Sequence, residues 1–236
     1  MVIMLNLLAK HIKNIGNPLI RRLPVHLSCL LFGLFSFTPD GRAGEVGQNF
    51  IPGMYEGLML AVDRDEVVGF FNVERGEGVT FTCSFFLKGK QVKDQANIVT
   101  WSGQRLRKDE DIYFFPGLLK NENKEDINLK IDQGSGGHPG CSMAIGPQIG
   151  EDGLRLSRNY QANWASLKMV KRDRASLFSG PAVDTKTKSY FIRGDVLAVL
   201  SANGEWLNIE FPRPGKKSIK GWIRSDDVED LQPPQR

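Results

Sequence analysis

Residues 79–87 read Val-Thr-Phe-Thr-Cys-Ser-Phe-Phe-Leu. A run this rich in β-branched and aromatic side chains favours an extended strand. The two-residue period puts Phe81, Cys83, Phe85 and Leu87 on one face, so the sulfur of Cys83 is expected among apolar neighbours. Turn-like compositions bracket the run: Glu74-Arg75-Gly76-Glu77-Gly78 before it and Lys88-Gly89-Lys90 after it. The same rhythm continues outward. Tyr55–Val62 is an apolar run ending at Asp63-Arg64-Asp65-Glu66, and Val67–Val73 follows it. Ala96–Trp101, Asp111–Phe115, Ile127–Ile131 and Leu154–Ser157 are further candidates. Strands spaced by roughly 8–12 residues with Gly-containing turns mark an antiparallel meander. No stretch longer than two turns carries a helical period. About six to eight strands curled into a barrel or sandwich would hide their edges. The expectation is an all-β chain whose first domain covers residues 50–165, with Asn159–Trp164 as a linker or crossover.

The beginning of the chain reads differently. Lys10, Lys13, Arg21 and Arg22 form a basic region, and Leu23–Phe37 is an apolar core. Pro39 and Gly41 then break the run, and Gly41 and Ala43 set small residues before Gly44. That is the grammar of a cleavable secretion signal over residues 1–43, cut before Gly44. The apolar run is shorter than the ~20 residues of a bilayer span, so no stable membrane insertion is expected after cleavage. A lipid anchor at Cys29 fits less well, because His26 stands where an aliphatic residue is needed and the apolar stretch continues past the cysteine. The expected compartment is the periplasm of a Gram-negative bacterium. The pI near 8.9 reflects the leader. Without it, 26 basic and 26 acidic residues remain, and the balance offers no reason to expect nucleic acid as a partner.

Removal of the leader takes Cys29, His11 and His26 with it, leaving Cys83, Cys141 and His138. Two thiols in an oxidising space most often join. The competing readings are free structural cysteines, or a nucleophilic Cys141 activated by His138. The second needs an oriented imidazole, and Pro139-Gly140 between them suggests a turn with nothing to orient the ring. Gly134-Ser135-Gly136-Gly137 lacks the Lys-Ser/Thr of a phosphate loop and reads as a flexible loop. There is no H-E-x-x-H, C-x-x-C or G-x-S-x-G, so neither a metal site nor a serine triad can be assembled from motifs. No cofactor is implied. Asp109-Glu110-Asp111 and Asp226-Asp227 read as solvated turns rather than paired catalytic carboxylates.

The last quarter of the chain carries a more specific pattern. Ala175-Ser176-Leu177-Phe178 is followed by Pro181, Tyr190–Val196 contains Gly194-Asp195, Asn203-Gly204-Glu205-Trp206-Leu207-Asn208-Ile209 follows, and Gly221-Trp222-Ile223 closes the series before Asp227-Val228. Gly194-Asp195 and Asn203-Gly204 suit tight hairpins, Val196–Leu200 suits a buried strand, and Pro212–Lys217 suits a longer loop. In order and spacing, residues 168–232 resemble the bacterial SH3-like domain family. The resemblance implies a small β-barrel, with Val170 opening a first strand that Ala175–Phe178 continues. It also implies binding to cell wall or protein. Tyr190, Trp206 and Trp222 are the candidate binding side chains. Trp222 stands where the family packs its core. Trp206 is open to two readings: an exposed stacking surface, or barrel filling.

The functional expectation is an exported, non-catalytic binding protein with peptidoglycan or a periplasmic or envelope protein as partner. Its sharpest form is an inhibitor or immunity protein against a cell-wall hydrolase. The alternative is a carboxylate-based periplasmic hydrolase with an SH3-like targeting module.

Overall fold

The structure, a computed structural model, describes residues 49–102, 112–132 and 137–233. The leader with its cleavage point, Asp109-Glu110-Asp111 and Gly134–Gly136 lie outside the described residues.

Eight antiparallel strands form a closed barrel in chain order: β1 (Gly53–Tyr55), β2 (Leu58–Asp63), β3 (Glu66–Arg75), β4 (Phe81–Val92), β5 (Gln95–Ser102), β6 (Phe114–Asn121), β7 (Asp126–Ile131) and β8 (Leu154–Gln161). Pairing of β1 with β8 completes the closure. The interior is filled by inward residues such as Leu58, Leu60, Phe71, Phe85, Leu87, Leu119 and Leu129. Cys83 lies among them, on the face it shares with Phe85 and Leu87. The short helix α1 (Cys141–Ala144) and Ile149 belong to the same core. The Cys83–Cys141 disulfide ties α1 to β4.

Some local readings change. Tyr55–Val62 is not one strand: Glu56-Gly57 turns the chain between β1 and β2, with Gly57 at φ +77°. Lys88-Gly89-Lys90 does not stop β4. Gly89 sits inside the strand, where a Cβ would fall 2.2 Å from the carbonyl oxygen of Asn97, so the glycine serves close backbone approach rather than a turn. Strand β8 runs on to Gln161, through half of the expected linker.

A second, seven-stranded antiparallel sheet follows: β9 (Ser166–Val170), β10 (Arg174–Phe178), β11 (Lys186–Ile192), β12 (Val196–Asn203), β13 (Trp206–Arg213), β14 (Lys216–Arg224) and β15 (Val228–Asp230). Their order is β11-β10-β14-β13-β12-β9-β15. Val170 and Ala175–Phe178 therefore belong to separate strands placed far apart in the sheet. The expected long loop shrinks to the turn Pro214-Gly215, because β13 and β14 stay paired as far as Arg213 and Lys216. Gly194 and Gly204 take positive φ at their hairpins, as their turns require. Val170, Leu177, Phe191, Leu197, Ile209 and Ile223 are among the buried core residues of this sheet.

A third apolar cluster lies between barrel and sheet. Met59, Ala61, Val68, Phe86 and Trp101 project from the outside of the barrel and meet Trp164, Leu167, Val196, Ala198 and Leu231. This explains why Leu58–Val62 and Phe85–Leu87 are apolar at successive positions rather than alternating: both faces of those strands are covered. The indole Nε1 of Trp164 donates to Oε2 of Glu210 at 3.0 Å, and Lys220 Nζ lies 3.5 Å from the same oxygen. Both sheets belong to one compact unit. Among the described residues no helix is long and apolar enough to cross a membrane.

Candidate functional site

Alternation along β13 sends Leu207 and Ile209 into the core of the second sheet. Trp206, Asn208 and Glu210 therefore take the outer face. Register carries the parity across the sheet: Trp206 is opposite Arg224, Asn208 opposite Trp222, and Glu210 opposite Lys220. Phe178 on β10 is opposite Trp222, and Ser176 is opposite Tyr190 on β11. The three side chains singled out from the sequence thus share one outer face. Phe178, Asn208 and Arg224 join them there. Sequence reading passed over these three, although their strand parity was available to find them.

Exposure differs across this face. Tyr190 is 48% exposed and has the Arg174 guanidinium 4.7 Å above its ring. Trp222 is half-buried. Its expected place inside the core is taken instead by Gly221 and Ile223, its neighbours of opposite parity. Trp206 is buried at 6% exposure, yet it is not part of the barrel filling. Its ring meets Phe178 edge to face at 4.7 Å, and the Arg224 guanidinium lies over it at 5.1 Å. Arg224 is held by both carboxylate oxygens of Glu205, at 3.0 and 2.7 Å. Cation–π attraction and the two-point ion pair together keep this cover in place. The resulting shelf offers Trp222 and Tyr190 to solvent, with Asn208 beside Trp222 as a hydrogen-bonding group.

The second candidate centre, around Cys141 and His138, has a different character. Both cysteine sulfurs are committed to each other, and both residues are buried. His138 is not on a loose loop. It is 1% exposed, stacked on Phe85 with ring centroids 4.8 Å apart, and meets Phe115 edge-on at 4.8 Å. Its Nε2 is 2.8 Å from Thr100 Oγ1. The ring is thus oriented, contrary to expectation, by a hydroxyl and two aromatic rings. Burial pulls its pKa down to about 4.

A polar knot closes another part of the barrel. Asp126 accepts from Asn123 at 2.8 Å and Ser157 at 2.7 Å, and also pairs with Arg155. These donors, Asn123 first and then Arg155 and Ser157, hold its carboxyl well below the usual range. The arrangement fastens the β6–β7 turn to β8. Asp226 and Asp227 lie in a single 3-10 turn, where Asp227 pairs with Arg172 at 3.6 Å. Among the described residues no group of three or more His, Cys, Asp or Glu could hold a metal ion.

No family model, no curated protein and no solved structure matches the chain.

Proposed function

We propose that the protein is an exported, non-catalytic binding protein of the bacterial envelope that holds peptidoglycan or an envelope protein on the outer face of its second sheet. In its sharpest form it blocks a cell-wall hydrolase, as an inhibitor or immunity protein does. The observation that carries this reading is the meeting of Tyr190 and Trp222 on one outer face, beside a Trp206 fixed by Phe178 and Arg224. Rigid aromatic surface flanked by an amide and cations suits sugar rings and peptide planes alike.

The order of elements supports reading residues 168–232 as an SH3-like barrel. A hairpin, β10–β11, lies between β9 and the β12–β14 meander, and a single 3-10 turn precedes β15, which returns to pair with β9. The disulfide supports binding over thiol catalysis, because it occupies the Cys141 sulfur that His138 would have to activate. The leader reading, and a disulfide that suits an oxidising space, support placing it in the periplasm.

The test is co-sedimentation of the full chain with purified peptidoglycan, beside capture on immobilised envelope proteins. Trp222→Ala and Tyr190→Ala are expected to lose about tenfold or more in retention on one of the two matrices while melting as folded proteins. Retention that both variants keep undiminished, or no retention on either matrix, overturns the reading.

A further inference from the structure

The second sheet has two edges, and they are not alike. At one, β15 is only three residues long, Asp230 is tied to Lys168, and the adjoining Leu231 is buried between barrel and sheet. At the other lies β11, seven residues long and, among the described residues, paired on one side only, with β10. Lys186, Lys188, Ser189, Tyr190 and Ile192 are all exposed along it.

Hydrogen bonding shows which way its backbone points. The N–H of Ile192 donates to Asp195 Oδ2 at 2.8 Å, and its carbonyl accepts from the Asp195 N–H at 3.1 Å. Ile192 therefore faces away from β10 and is capped. Two residues back, Tyr190 has the same parity, so its N–H and C=O point to the open edge. Ser189 faces β10, where the Thr187 hydroxyl accepts from its N–H and donates to the Leu177 carbonyl. Between Tyr190 and Lys186 the pairing with β10 shifts register, so Lys188 is an exposed residue of an irregular stretch, while the side chains of Tyr190 and Ile192 share the outer face.

The charge on this edge is one-sided. Among the described residues Lys186, Lys188 and Arg174 have no carboxylate within ion-pair distance, whereas Arg193 is paired with Asp173 at 2.9 Å. Asp184 is the nearest acid in sequence, and Asp195 is spent on the Ile192 cap. Lysines on an edge strand deter unwanted pairing, but they deter it selectively, because they repel a cationic strand and attract an acidic one.

We propose that β11 is a docking edge for an acidic, extended peptide segment of a partner protein, which adds an eighth strand to the sheet by pairing with the backbone at Tyr190. Its acids lie against Lys186, Lys188 and Arg174, and its apolar side chains lie against Tyr190 and Ile192. Backbone pairing supplies affinity and the alternate side chains supply selectivity. The inference stands on the backbone of the sheet edge: it shares Tyr190 with the envelope-binding reading but makes no use of Trp222, so loss of binding in Trp222→Ala leaves it untouched.

The test uses the full chain and two synthetic peptides, one alternating Glu with Val and one alternating Lys with Val. Amide exchange and fluorescence anisotropy are followed at low and high salt. The Glu peptide is expected to slow exchange at Tyr190 by about tenfold or more and to weaken with salt. Reversing both charges, Lys186→Glu with Lys188→Glu, should cost about tenfold in affinity for it and favour the Lys peptide. Both positions are exposed, so the reversal leaves the core untouched. Equal binding of the two peptides, protection confined to other strands, or self-association of two copies through β11 overturns the proposal.

Discussion

Inside the closed barrel, Nε2 of His138 lies 2.8 Å from Oγ1 of Thr100, and this contact decides which ring nitrogen carries the proton. The Thr100 hydroxyl spends its own hydrogen on the Phe115 carbonyl at 3.0 Å. It must therefore accept from His138, which puts the proton on Nε2 and leaves Nδ1 bare. Among the described residues Nδ1 is buried without a partner. Protonating it would create a buried, uncompensated charge.

Stability is consequently expected to depend on pH through this ring. The folded pKa of about 4 lies below the ordinary 6.5, so between these values the unfolded chain binds the extra proton. The contribution of His138 is complete above pH 6.5 and is lost as pH falls towards 4, about 3 kcal/mol in all. Urea midpoints measured across that window should rise with pH, and the slope should shrink in His138→Phe. An unchanged slope would show that the ring is not held neutral. The Asp126 carboxyl, held low by its donors, acts in a more acidic window, with its share lost below the usual carboxylate range.

Removing the disulfide should loosen the plug without unmaking the barrel. The bond spans 58 residues, and the chain-entropy relation gives about 4 kcal/mol for such a loop as an upper value. Cys83→Ser with Cys141→Ser should melt lower than wild type. Exchange at Ala144 and Ile145, whose amides bond to Gly140 and Cys141, should rise ahead of global unfolding. Thiol labelling of denatured, unreduced wild type should find no free sulfhydryl at these two positions.

Gly221 marks the tightest crossing in the second sheet. A Cβ there would meet Leu177 Cδ1 and the Phe178 carbonyl oxygen, each at 2.7 Å. The side chain could turn aside, but the carbonyl is backbone. Gly221→Ala is therefore expected to cost about 1–3 kcal/mol, read as a lower denaturation midpoint. It should also disturb Trp222 next to it, visible as a change in Trp fluorescence before any unfolding.

Trp206 and Trp222 should respond oppositely to truncation. Trp206→Ala removes a ring enclosed by Phe178 and Arg224 and should lose about 3–5 kcal/mol of stability. Trp222→Ala should cost less stability and more ligand. Thermal melts of the two variants, run beside the sedimentation assay, separate these effects. A Trp222 variant that melts far below the Trp206 variant would contradict the burial described for them.

Much of the barrel was legible because its strands alternate with Gly-bearing turns and carry β-branched and aromatic residues. The disulfide was legible from the count of thiols. The misreadings have physical causes. Gly89 sits in a strand, and a glycine chosen for close backbone approach looks the same in sequence as one chosen for a turn. Tyr55–Val62 looked like one strand because its turn is a single Glu-Gly pair inside an apolar run. His138 follows a glycine run and precedes proline, a setting that suggests exposure. Its burial comes from Phe85, Thr100 and Phe115, three strands distant in sequence. Parity sets Trp206 on the face opposite Leu207 and Ile209, but whether that face is covered depends on Phe178 and Arg224, which come from other strands.

The apolar seam makes the two sheets mutual dependants. Leu167, Val196 and Ala198 are dry only because the barrel lies against them, and Met59, Phe86 and Trp101 are dry only because the second sheet returns the favour. Either half expressed alone would carry a contiguous greasy flank into solvent, of the kind that drives association. The C-terminal module is therefore not a portable part. Transplanted to another chain, it would need a new wall as well as a new linker.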